Sequence, residues 1–172
     1  MAPILRLPAL EDEKAALDGH RKMLTDPFMD FLLDYRSGEP FAAWMERVNA
    51  VSLGLHCPAP WLPGEFLFIE DEGTLVGRVW IRFELDAHMA EYEGHLGYVV
   101  LPGYRRRGYA HQALAMSLAR LRLAGVQTAL VTCEQSNLAS IAVLESAGAV
   151  FERMTTGTKR RRYLLPTSDR RF

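Results

Sequence analysis

The stretch HLGYVVLPGYRRRGYAHQAL, His95 to Leu114, changes its period halfway along. His95 to Leu101 is a short apolar run of β-branched and aromatic residues, the chemistry of a strand, and Pro102-Gly103 stops it. From Ala110 onward, Ala110, Ala113, Leu114, Ser117, Leu118 and Leu121 recur at the spacing of one helix face, with a stop near Gly125. A strand that bends directly into a long helix calls for an α/β arrangement. It also sets the unpaired N–H groups of a helix N-terminus beside three consecutive cations, Arg105, Arg106 and Arg107.

The rest of the chain fills in around that unit. ILRL reads as a strand ending at Pro8, and EDEKAALDGHRKML as a helix with acids in its first turn, where the helix dipole favours them. Phe28, Phe31, Leu32 and Tyr35 fall at i, i+3, i+4 and i+7 and predict a helical segment broken by SGEP. A further helix follows Pro40, with Phe41, Trp44, Met45 and Val48 on one face and Gly54 as its stop. HCPAPWLPG, His56 to Gly64, is a proline-rich loop. EFLFIEDEGTLVGRVWIRFEL reads as a hairpin turning at DEGT, and DAHMAEYEG as a polar connection. TALVTC is a strand buried on both faces, and NLASIAVLESAG a helix with Ser136 or Asn137 as N-cap and Gly148 at its end. AVFERMT and RRYLLP finish as two antiparallel strands. The sum is β-α-α-β-β-β-α-β-α-β-β, one α/β domain with a mixed sheet spanning 1–172.

Bulk chemistry narrows the partners. Lys and Arg number 20 against 21 Asp and Glu, a formal net charge of −1. A general nucleic-acid binder carries a domain-wide basic excess, so nucleic acid is not expected as a partner. No apolar run approaches the roughly 18 residues that span a bilayer, and MAPILRLPALEDEK lacks the layout of a signal peptide. No membrane contact is expected, and a cytoplasmic location is. Cys57 and Cys133 stand far apart with no partner motif, and His88 and His95 lack ligand spacing, so neither a disulfide framework nor a metal site is expected.

The bend itself suits a phosphate group. Helix-start N–H groups and the helix dipole attract the anion, and Gly108 lets the backbone come close or take positive φ. Ala110 keeps the first turn small, and arginine supplies charge-assisted hydrogen bonds. The pattern R-x-x-G-x-A matches neither the nucleoside-triphosphate loop G-x-x-x-x-G-K-[ST] nor the dinucleotide fingerprint G-x-G-x-x-G.

Arg105-x-x-Gly108-x-Ala110, followed by Asn137-Leu138-Ala139-Ser140, resembles the GNAT superfamily of acyl-CoA-dependent N-acetyltransferases over Gly94 to Gly148. The order of elements agrees with that family along the whole chain. The resemblance implies an α+β fold with a mixed, mostly antiparallel twisted sheet flanked by helices, and acetyl-CoA as co-substrate without a metal. It implies that the peptide groups of Tyr98, Val99 and Val100 pair with the pantetheine arm like an added strand. An N–H near Val99 or Val100 would polarise the thioester carbonyl. The amides from Arg105 through Arg106, Arg107, Gly108 and Tyr109 to Ala110 would cradle the diphosphate. Asn137 and Ser140 would meet the pantetheine, while Asn137 as a plain N-cap is equally compatible. The tyrosine that many relatives carry seven residues after the asparagine, to protonate the departing thiolate, is Leu144 here; Ser140 or Tyr163 acting through water is the substitute considered.

A lysine-like acceptor needs a base, because its amine is protonated at neutral pH. The family's base position aligns with Gly94, so the flanking Glu93 or His95 is the expected catalytic residue, with loop solvation and strand capping as their plainer roles. Phe28, Phe31, Tyr35, Phe41 and Trp44 read first as core packing, and the resemblance implies that Phe31 or Tyr35 would border the acceptor opening. Lys159 to Arg162, with the terminal DRRF, reads as a solvated strand edge, Arg160 and Arg162 pointing opposite to Arg161. The acceptor is a small-molecule or peptide amine; a homodimer is left open. An acyl-CoA-binding module without catalysis is the competing reading, kept open by Leu144.

Overall fold

A computed structural model describes residues 2–57 and 61–168. Part of the proline-rich loop, residues 58–60, and the terminal DRRF lie outside the described residues. The strands are β1 (Ile4–Arg6), β2 (Gly64–Asp71), β3 (Thr74–Arg82), β4 (Leu96–Val100), β5 (Thr128–Glu134), β6 (Val150–Met154) and β7 (Arg160–Pro166). The helices are α1 (Glu13–Met23), α2 (Phe41–Ser52), α3 (Ala87–Tyr92), α4 (Tyr109–Leu123) and α5 (Leu138–Ser146).

The strands form two antiparallel sheets, ordered β1-β2-β3-β4 and β5-β7-β6. They meet at a bridge between Gly94 and Val131, where His95 N–H donates to Leu130 O at 2.7 Å. Period-two alternation on β2 sorts the core into two layers. Phe66 and Phe68 face Phe31, Phe41, Trp44 and Trp80 under α1 and α2. Leu67 and Ile69 face Leu114, Leu118 and Leu121 of α4 and Val131 and Tyr163 of the second sheet.

Three readings of the sequence are corrected. Residues 25–40 form no helix, although Phe31 and Leu32 are buried as the spacing implied. Pro27 follows an Asp26 whose side chain accepts from the Phe28 amide, and Asp34 takes a φ of 53°. The carbonyls of Leu33, Phe31 and Asp30 receive hydrogen bonds from Trp44 Nε1 and from Arg78 instead of from a helix. The connection DAHMAEYEG contains α3, capped by the Asp86 carboxylate accepting from the Met89 amide at 2.7 Å. The basic strand β7 is no edge: it lies between β5 and β6. Acids beside it explain why so many arginines fit there. Arg160 pairs with Glu134, and Arg162 with Glu152 and Glu91, on the side opposite Arg161.

Candidate active site

Beyond the Gly94 bridge the two sheets part, and the opening between β4 and β5 is a cavity of about 880 Å³. Gly94 makes the junction possible. Its φ is +76°, and a Cβ there would stand 2.4 Å from Leu130 O.

One wall of the cavity is the edge of β4. Arg82 N–H donates to His95 O, and Leu101 N–H to Val76 O. Alternate residues of an antiparallel ladder face the partner strand, so Gly97 and Val99 turn their peptide groups to β3. Those of Leu96, Tyr98 and Val100 turn to the cavity. Val99 is therefore displaced from the expected pairing set, and its side chain is buried in the aromatic layer.

At one end the cavity reaches the start of α4. Gly108 is the N-cap residue, at φ +84°, and the nearest atom to a Cβ there would be Gln112 Nε2 at 3.7 Å. Arg106, Gly108, Tyr109 and Ala110 line this end. The three arginines part company. Arg105 turns back, donating to Val100 O at 3.0 Å and pairing with Asp26 at 2.9 Å. Burial alone would raise the Asp26 carboxyl, but Arg105 and the Phe28 amide outweigh it and hold the group below its usual range. The Arg107 guanidinium lies over the Tyr104 ring, and the residue is outside the lining. Arg106, at φ 65°, has no hydrogen-bond or ion-pair partner among the described residues.

Across the cavity, Asn137 caps α5, its Oδ1 accepting from Ser140 N–H at 3.1 Å. Ser140 Oγ lies 3.1 Å from Tyr98 Oη, and both residues line the cavity. Burial pushes the Tyr98 phenol up to about 12, so it keeps its proton. Leu144 is fully buried in the core, and Tyr163 lies outside the lining with its hydroxyl donating to Glu145. Cys133 also lines the cavity as a free cysteine whose thiol is pushed up by burial, which keeps it from acting as a thiolate.

The end nearest the bridge holds Arg82, Glu93, Thr132, Glu134 and Arg160. Glu93 reaches Arg82 at only 3.4 Å, whereas Glu134 is held by Arg160 at 2.9 Å. His95 does not line the cavity. Its Nδ1 accepts from the Leu130 amide at 3.0 Å, and burial lowers its pKa, so it serves the junction as a neutral ring. Phe31 and Tyr35 are absent from the lining as well; Phe31 stacks on Phe68, and Phe28 and Met29 take the place expected for it. Sequence reasoning missed Met23, Asp26, Met29 and Arg82, and it read Arg160 as part of a solvated edge. Arg82 left a signal of its own, a charge inside an apolar strand.

A cavity opened between two splayed strands, ending at a glycine-headed helix, defines the GNAT type of acyltransferase fold. Residues 25–149 match the acetyltransferase (GNAT) family, and the chain belongs to it. No curated protein matches the chain in sequence. Among solved structures, RimJ of Mycobacterium smegmatis in complex with CoA-disulfide is 19% identical, with a TM-score of 0.67 over 94% of this chain and 79% of that one. A spermidine N-acetyltransferase SpeG chimera from Vibrio cholerae and hSSAT is 17% identical, with a TM-score of 0.64 over 98% and 97%. The microcin C7 self-immunity acetyltransferase MccE, in complex with acetyl-CoA and AMP, is 16% identical, with a TM-score of 0.64 over 96% and 92%. At these identities the likeness shows the fold.

Proposed function

We propose that this protein is an N-acetyltransferase that moves an acetyl group from acetyl-CoA to a primary amine by direct attack in a ternary complex. The observation that carries this reading is the cavity itself. It joins a phosphate-suited helix start with a free Arg106 to a weakly held carboxylate, Glu93. Acetyl-CoA would supply the activated acetyl group. The amides leading into α4 and the Arg106 guanidinium would hold its diphosphate, and the cavity-facing peptide groups of Tyr98 and Val100 its pantetheine.

Grip of this kind acts alike on ground and transition states; rate comes from holding thioester and amine in attack geometry. Glu93 is the acid with the least committed oxygens, and we assign it the amine's proton; His95, tied to Leu130, does not compete. As the C–N bond forms and the C–S bond breaks, one hydroxyl of the Ser140–Tyr98 pair would donate a hydrogen bond to the sulfur while accepting from the other. A thiolate with a pKa of roughly 8.5 needs no stronger acid.

Thermal unfolding with acetyl-CoA tests the reading. At about a hundredfold excess over Kd the expected rise in Tm is roughly 5–10 °C, and Gly108→Trp should abolish it by filling the cradle. Amine-dependent thiol release then separates a transferase from a module that only binds acyl-CoA, the reading that Leu144 keeps open. Without a shift in the unmodified protein, both readings fail.

A further inference from the structure

Charge is unevenly settled around this cavity. Its lining carries Asp26, Glu93 and Glu134, each opposed by one arginine: Arg105, Arg82 and Arg160 respectively. Arg106 is left over at the helix-start end. A second unmatched cation lies behind the wall near the bridge. Arg78 is 1% exposed, and no carboxylate lies within ion-pair distance of it among the described residues, Asp30 acting on it only from farther away. Its Nε donates to Phe31 O at 3.1 Å and its Nη2 to Asp30 O at 2.5 Å, while Nη1 is buried without a hydrogen-bond partner. Carbonyl dipoles and the Phe66 face, 5.9 Å below the guanidinium, do not cancel its charge. Burial, reinforced by repulsion from Arg82 and only partly offset by attraction from Asp30, lowers the Arg78 pKa to about 10, so the cation persists at neutral pH at an energetic cost.

Little separates that unpaired nitrogen from the cavity. A Cβ on Gly97 would stand 3.7 Å from Arg78 Nη1 and 2.8 Å from Met29 Cε, and both Gly97 and Met29 line the cavity. The screen is a residue without a side chain and the tip of an unbranched one, which moves readily. Arg82, on the same strand and the same face, is already in the lining and holds Glu93 only loosely.

We infer that the acceptor amine carries a carboxylate, received between Arg82 and the free Nη1 of Arg78 once the Met29 side chain moves aside. This rests on the transferase reading and narrows its substrate to amino acids or peptides with a nearby carboxylate. A buried, desolvated pair of guanidiniums favours such a group, and a diamine or polyamine would bring a second cation against them.

The test compares acceptors that differ in that group alone: α-amino acids, ω-amino acids and short peptides with an acidic residue, each beside its carboxamide. In the presence of acetyl-CoA at least one acid should exceed its own amide by about tenfold or more in kcat/KM, and raise Tm where the amide does not. The class that does so reports the spacing between amine and carboxylate. Arg78→Met should bring that ratio close to one, whereas a merely structural role would depress acid and amide alike. Arg78→Lys should restore part of it. If Arg78→Met does not fold, the ratio in the unmodified protein decides. Parity between acids and amides, a preference for diamines, or no response to any acid while acetyl-CoA raises Tm overturns this inference alone. Failure of acetyl-CoA to bind strikes the transferase reading beneath it.

Discussion

The two ends of the cavity are built differently. At the start of α4 the lining comes from near neighbours in sequence, Arg106, Gly108, Tyr109 and Ala110, and what they offer is largely main chain: a left-handed glycine, unpaired amides and one free guanidinium. At the bridge end the lining is assembled from β3, β5, β7 and the residue that closes α3, and what it offers is side-chain charge: Arg82, Glu93, Glu134 and Arg160. Main-chain geometry is local and tolerates changes elsewhere in the fold. Charge pairs brought from distant strands hold their places only while the sheets hold theirs.

The sharpest way to break the comparison is at the junction. Gly94→Ala would place a Cβ 2.4 Å from Leu130 O and force an alanine to the left-handed φ of +76°. Strain and overlap together should cost roughly 2–5 kcal/mol, read from urea unfolding. The bridge end should suffer first, so acceptor-dependent turnover should fall further than acetyl-CoA affinity.

A smaller effect is expected midway along the cavity. Tyr98→Phe and Ser140→Ala each remove one hydroxyl of the 3.1 Å pair. If the pair assists the departing sulfur, each should lower kcat by about 10-fold to 100-fold with KM for acetyl-CoA nearly unchanged, and the double variant should cost less than the product of the two. Steady-state kinetics on the three variants decides this.

The smallest effect concerns pH. Glu91, at the end of α3, accepts from Arg153 and from the Thr156 amide, and these bonds lower its pKa to about 2. A carboxyl depressed in the folded state adds stability above its ordinary range and loses it as pH falls through about 2. Carboxyl NMR titration should show Glu91 as an early-ionising group. Glu91→Gln should make stability between pH 5 and 2 slightly less dependent on pH, with no change at the α4 end.

How much of this could be seen in the sequence follows the same division. R-x-x-G-x-A and N-x-x-S mark local backbone geometry: Gly108 takes a positive φ at the start of α4, and Asn137 is the N-cap of α5. The helical spacing of Phe28, Phe31, Leu32 and Tyr35 misled because burial alone produced it: Phe31 and Leu32 are core residues on an irregular segment. Its carbonyls are satisfied by Arg78 and Trp44, partners that no local pattern announces. The arginine triplet read as one phosphate-binding unit divided once Asp26 and the Tyr104 ring claimed its outer members.

By itself, then, the order of residues determined the seven strands, the helices α1, α2, α4 and α5, the bend at Gly108 and the cap that opens α5. Each of these depends on period, propensity and hydrogen bonds within a few positions. Only tertiary structure decided that β7 is a central strand, that His95 belongs to the junction while Glu93 faces the cavity, and that Arg78 is left with an unpaired nitrogen behind Gly97. Charges and carbonyls far apart in the chain find their partners by through-space proximity, and that proximity exists only after the sheets have packed.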